Sequence, residues 1–166
     1  MNWACGGTLI NQWYVLTAAH CQGKSPETTI SRVRLGEWSV EGYGQETKTG
    51  ELPDEQDFDI TKNDFKVHDG FNKVYGKFSN IVNDIALVKL PQPANLNAGV
   101  QMACLPFDSQ EFKNYLKISN VNSGVVERES TVIGWGKTNA DQLADYDGVG
   151  SRIMQKLQVM FRLNFK

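Results

Sequence analysis

The chain has 166 residues, enough for one domain of the usual ~100–200 residues. Lys plus Arg total 17 and Asp plus Glu total 19, for a net charge of -2. That balance argues against a nucleic-acid partner, which needs a basic face to meet phosphates. Hydrophobic residues at 40% and charged residues at 22% exclude wholesale disorder, and no apolar run approaches the ~20 residues needed to cross a bilayer. The three cysteines are an odd number, so at least one lacks a partner within the chain.

Read in chain order, the sequence is a series of short apolar runs separated by turn residues. Residues Met1 to Gly7 have neither a basic start nor a continuous apolar core, so they do not form a signal peptide. No Asn-x-Ser/Thr sequon occurs anywhere. Val15 to Ala19 is the first apolar run. Glu51 to Asp59 follows with five acids and no base. A solvated loop is the plain reading of that stretch, and a calcium site is the sharper one, because hard cations need clustered oxygens. Ile85 to Leu90 is the next run, broken by Lys89 and ended by Pro91. Asp108 to Lys117 has room for one helical turn. Thr131 to Ile133 enters Gly134-Trp135-Gly136, and Leu157 to Leu163 closes the series within a basic, acid-free tail. Short runs punctuated by Gly, Asn, Asp and Pro predict β-strands in a barrel or sandwich.

Few residues can carry chemistry. There are two histidines, His20 and His68, far apart and outside any His-Glu-x-x-His pattern, which speaks against a zinc enzyme and leaves no metal-ligand set. His20 follows an apolar run and precedes Cys21. An imidazole on such rigid scaffolding can act as a general base near neutral pH; a half-buried structural histidine is the plainer reading. Cys5 and Cys21 flank the same run. On neighbouring antiparallel strands they can reach disulfide geometry, or they are two buried thiols. Asp84 leads directly into an apolar strand. Burying a carboxylate there is costly unless it is hydrogen-bonded, and an imidazole N–H is one donor that satisfies it. An Asp in a strand-entry turn is the ordinary alternative.

Together these segments resemble the chymotrypsin/trypsin-like serine proteases. Cys5-Gly6-Gly7-Thr8-Leu9-Ile10 and Trp13-Tyr14-Val15-Leu16-Thr17-Ala18-Ala19-His20-Cys21 resemble that family's histidine box. Val33-Arg34-Leu35-Gly36-Glu37, Asn83-Asp84-Ile85-Ala86-Leu87-Val88-Lys89-Leu90, Cys104-Leu105-Pro106 and Val132-Ile133-Gly134-Trp135-Gly136-Lys137-Thr138 follow in the family's order. Gly36-Glu37-Trp38 and the acidic stretch after it are similar to arthropod clip-domain proteases.

The resemblance implies an all-β fold, an antiparallel Greek-key barrel of the two-barrel type with the second barrel incomplete. Residues 1–103 would be the N-terminal barrel lacking its first strand. Residues 104–166 would be the connecting segment and the opening strands of the second barrel. The resemblance makes His20 the general base, Asp84 its orienting carboxylate, and Cys5–Cys21 a disulfide. It implies a secreted zymogen acting on protein substrates and requiring no cofactor. It also implies calcium in the loop after Glu37, because the matching position ligates calcium in some members. Cys104 would bridge to an upstream propeptide or clip-like segment; an ordinary buried cysteine is the alternative.

The sequence departs from the family in three places. No Gly-Asp-Ser-Gly-Gly occurs, so the nucleophile and the amides of the oxyanion hole are missing. The family's Ile-Val-Gly-Gly start is missing too. Met160 to Lys166 no longer follow the family pattern, as expected of a reading frame that departs near Met160. The expectation is a partial, inactive protease chain, or else a non-catalytic homologue that binds a partner protein on the same scaffold.

Overall fold

The computed structural model describes residues 5–23, 29–37, 55–73, 81–105, 125–136, 151 and 154–164. Among them every strand pairing is antiparallel, and there is no α-helix. The chain divides into two compact units. Among the described residues the first takes in 5–37 and 55–104, and the second begins at Leu105. The helical turn expected between Asp108 and Lys117 lies outside the described residues.

The first unit is built on a four-stranded sheet in the order β1-β2-β8-β5. Its strands are β1 (Thr8–Asn11), β2 (Tyr14–Thr17), β5 (Phe65–Val67) and β8 (Ala86–Lys89). β1 and β2 form a hairpin whose turn is tied by the Trp13 amide donating to Asn11 Oδ1 at 2.8 Å. β8 alternates as a half-buried strand must. Ala86 and Val88 are buried, Lys89 is exposed, and Leu90 just beyond has no exposed surface. Pro91 then ends the run, since it has no N–H for a ladder. β2 pairs with β8 from Tyr14↔Lys89 to Thr17↔Ala86.

A ribbon of β3 (Arg32–Leu35) and β4 (Gln56–Asp59) closes over this sheet. Val33 lies opposite Phe58, which is buried in one cluster with Leu9, Val15, Phe65, Ala86, Val88 and Leu90. The opposite face of the ribbon carries charge. Arg32 pairs across with Asp59 and Arg34 with Asp57. A 3-10 turn at Lys62–Asp64 precedes β5, with Thr61 and Asp64 forming a capping box. β6 (Asn72–Lys73) and β7 (Ile81–Val82) pair as a short ribbon leading into Asn83. In the second unit, β9 (Val125–Gly134) and β10 (Gln155–Asn164) form one long ribbon. The pairing runs through Met160↔Glu129 to Asn164↔Val125.

One expectation needs correction. The acidic stretch from Glu51 to Asp59 is not wholly a solvated loop, because Gln56–Asp59 is strand β4. Cross-strand arginines make this possible. Arg34 grips Asp57 with two parallel bonds, Nε to Oδ1 at 2.8 Å and Nη2 to Oδ2 at 2.9 Å. Its Nη1 also reaches Glu37 at 3.3 Å and Glu55 at 3.1 Å. The side chains of Arg34 and Glu37 are only 9% and 5% exposed. Buried charges of this kind persist only when paired and hydrogen-bonded.

Arg34→Ala should therefore destabilise the first unit by about 3 kcal/mol in urea unfolding. That is the low end for breaking a buried ion pair, since Asp57 and Glu55 keep some contact with water. Arg32→Ala, at a more exposed pair, should cost under ~1 kcal/mol. Equal losses for the two would contradict the central place given to Arg34.

Candidate active site

The site begins where β2 stops. Strand pairing ends at Thr17, and Ala19–Gln22 form a 3-10 turn, with the Cys21 amide donating to the Ala18 carbonyl at 3.1 Å. The turn is amphipathic: Ala19 and Cys21 point into the core, and the His20 side chain is 51% exposed. Gly23 closes it at φ 75°, a left-handed value suited to glycine. Cys21 is bonded to Cys5, with a Cα–Cα distance of 6.2 Å. Neither cysteine lies on a strand, contrary to the expected placement; Cys5 precedes β1 and Cys21 sits in the turn. The Thr17 hydroxyl donates to the Gly6 carbonyl at 2.8 Å, drawing the two segments together. Gly7 has no room for a side chain there, since a Cβ would come within 2.6 Å of Val15 Cγ1.

Asp84 approaches this turn from the other side, two residues before β8. Its Oδ2 lies 2.7 Å from His20 Nδ1, and its Oδ1 accepts the His20 backbone N–H at 2.8 Å. The Ala19 amide also donates to it. The Asp84 side chain is 23% exposed. Burial pushes this carboxyl up, but the bonds from the His20 ring, the His20 amide and the Ala19 amide outweigh it and hold the group below the ordinary carboxylate value. An ionised carboxylate only accepts, so Nδ1 must be the donor. The lone pair of the neutral ring then lies on Nε2. This arrangement can take a proton from a nucleophile placed against Nε2 and stabilise the imidazolium that results.

The structure thus brings together His20, Asp84, Cys5 and Cys21. The ligand atoms of Cys5, His20 and Cys21 lie within 4.8 Å of one another. Both sulfurs are bonded to each other, however, and metals take thiolates. His68 stands apart, with its Nδ1 accepting the Gly70 amide at 2.9 Å. Cys104 is an exposed free thiol in the first unit, not a buried one. The loop after Glu37 that was expected to hold calcium, residues 38–54, lies outside the described residues. Glu37 and Glu55, the described residues flanking it, both face the guanidinium of Arg34. The backbone donors Ala19 and His20 were not foreseen; the signal was the run of small residues before His20, which lets a turn press against a carboxylate.

The trypsin family model matches residues 2–158, and the chain belongs to that family. Phenoloxidase-activating factor 3 of Holotrichia diomphalia is 33% identical over 148 residues, covering 87% of this chain and 37% of that protein. CLIP domain-containing serine protease B4 of Anopheles gambiae is 35% identical over 135 residues, covering 81% and 34%. Vitamin K-dependent protein C of Rattus norvegicus is 36% identical over 139 residues, covering 80% and 23%. The crystal structure of the Drosophila Grass clip serine protease of the Toll pathway superposes with a TM-score of 0.63 at 24% identity, over 95% of this chain and 39% of that one. The chain therefore spans well under half the length of these relatives. Among the described residues, no helix is long and apolar enough to cross a membrane.

A carboxyl held low in the folded state adds stability above its unfolded value of about 3.9, and loses it as pH falls through the lower folded value. Asp84, Asp57 and Asp64 all have this sign. The melting temperature should therefore fall steadily below about pH 4. In Asp84→Asn that fall should be shallower. Circular dichroism melts between about pH 2 and about pH 6 measure it; an identical slope in the variant would show that Asp84 contributes nothing to the fall.

Proposed function

We propose that this chain supplies the general-base half of a trypsin-like serine endopeptidase, with His20 as base and Asp84 as its orienting carboxylate. The observation that carries the reading is the 2.7 Å contact of His20 Nδ1 with an Asp84 whose other oxygen is already held by the His20 amide. In the reaction a serine hydroxyl attacks the peptide carbonyl, and its proton passes to Nε2 of His20. The C–N bond breaks as the same proton goes to the leaving amine. Water then releases the acyl group by the reverse sequence. Asp84 holds the ring in the Nδ1–H tautomer and balances the imidazolium charge.

The 166 residues contain no Gly-Asp-Ser-Gly-Gly. On this reading they have no nucleophile and are inactive as they stand, and the serine comes from further protein. The same observation favours a second reading, a non-catalytic homologue that uses the scaffold to bind a partner protein. The family membership supports proteins as substrates or partners. The clip-domain relatives support a secreted zymogen whose clip-like segment is joined through the exposed Cys104.

A serine-directed fluorophosphonate should leave the purified chain unmodified by intact mass; a stoichiometric adduct would overturn the assignment. Transcript sequence 3′ of the Lys166 codon separates the two readings. A frame encoding Gly-Asp-Ser-Gly-Gly supports the protease, and a replaced serine in that context supports the binding homologue.

A further inference from the structure

Asp84 is held at one end by the turn after β2. What holds its backbone is a second device, on the opposite side. Asn83, the residue before it, has φ 54° and is the one non-glycine with positive φ among the described residues. Asn tolerates this left-handed region better than most side chains. Its Nδ2 donates to the Gly70 carbonyl at 2.9 Å. The Gly70 amide donates to His68 Nδ1 at 2.9 Å. The His68 amide donates to the Ile85 carbonyl at 3.1 Å, and the Ile85 amide to the Asn83 carbonyl at 2.8 Å.

These four bonds close a ring that leaves segment 68–70 and returns to it, with Asp84 between its two anchor points. The ring has no slack at Gly70. A Cβ there would lie 2.8 Å from Asn83 Nδ2 and 3.3 Å from two atoms of the His68 imidazole. Asn83, Gly70 and His68 are all exposed, so core packing does not explain the arrangement. The left-handed residue bends the chain between β7 and β8, and the bend sets the direction in which the next side chain leaves the backbone.

From this ring we infer that Asn83 is a positioning residue for Asp84, clasped by Gly70 and acting on His20 only through that carboxylate. The inference rests on the His20–Asp84 reading above. Loss of the clasp lets the 83–85 turn relax, lengthens the Asp84–His20 bond, and releases the ring from the Nδ1–H tautomer. A merely structural Asn would change stability and leave the tautomer alone.

The test is long-range proton–nitrogen NMR on the intact, nitrogen-15-labelled chain at about pH 8, above the ordinary histidine range. It reads the fraction of His20 carrying the proton on Nδ1. Wild type should show the Nδ1–H form dominant. Asn83→Ala, which loses both clasp and backbone preference, should lower that fraction by at least about half, in keeping with the several-fold shift that one lost hydrogen bond supplies. Gly70→Ala should do the same by displacing Asn83. Asn83→Gly keeps the left-handed backbone without the clasp and should fall between. Gln12→Ala, which cuts the side-chain bond to the Ala94 carbonyl far from the ring, should leave the fraction unchanged. If Asp84→Asn abolishes the Nδ1–H form while Asn83→Ala and Gly70→Ala leave it intact, the positioning role is wrong and the His20–Asp84 pair stands. If wild type lacks the Nδ1–H form, or Asp84→Asn retains it, the pair itself fails.

Discussion

The carboxylate of Asp84 joins two pieces of chain 64 residues apart. It accepts from the His20 ring, the His20 amide and the Ala19 amide together. Three donors on one carboxylate keep it ionised and fix both of its oxygens. Two of those donors are backbone groups of a short turn whose amides have no strand partner. The carboxylate satisfies them, much as a cap satisfies the start of a helix. One interaction therefore terminates β2, shapes the turn and orients the imidazole. A site built this way has little freedom to be half-formed: if the turn straightens, the amides and the ring leave Asp84 together.

The rest of the first unit brings that carboxylate to that turn. β2 and β8 are neighbours in the sheet, and the Thr17↔Ala86 pair at their shared end sets the distance to be bridged. A slip of one residue would turn Val88 and Ala86 out of the core and carry Asp84 away from the turn. The buried cluster of Val15, Val88, Leu90 and Phe58 makes that slip costly. The Cys5–Cys21 bond ties the turn to the segment before β1. His20 and Asp84 both lie within this unit.

Much of this could be read in the sequence where one residue's neighbours along the chain decide its environment. The alternation of Ala86, Val88 and Leu90 with Lys89 marks β8 directly, and Val15 marks β2. His20 and Asp84 were identifiable through the boxes around them, though singly each had an ordinary explanation. What could not be read depends on partners distant in sequence. The acids from Glu55 to Asp59 look like a solvated loop until Arg34 and Arg32 are seen opposite them. Val15 to Ala19 looks like one continuous run, but it breaks after Thr17 because Asp84 competes for the next amides. Thr131 to Ile133 marks only a fragment of β9, which runs from Val125 to Gly134 on backbone pairing that side-chain pattern does not record.

The two units differ in what their strands have to bury. In the first, a sheet and a ribbon enclose a cluster in which Val88, Ala86 and Ala94 are at most 2% exposed. In the second, the described strands form a ribbon with apolar side chains on both faces. Val132 lies opposite Leu157, and Ile133 opposite Lys156. Val132 is 53% exposed, Ile133 64% and Leu157 62%. A two-stranded ribbon is marginal in water unless something covers a face of it. Consecutive apolar residues such as Val132 and Ile133 suit a strand covered on both faces rather than one half in water. Val132, Ile133 and Leu157 thus carry more apolar surface than the described ribbon covers, whereas the unit holding His20 and Asp84 encloses apolar residues in a cluster of its own.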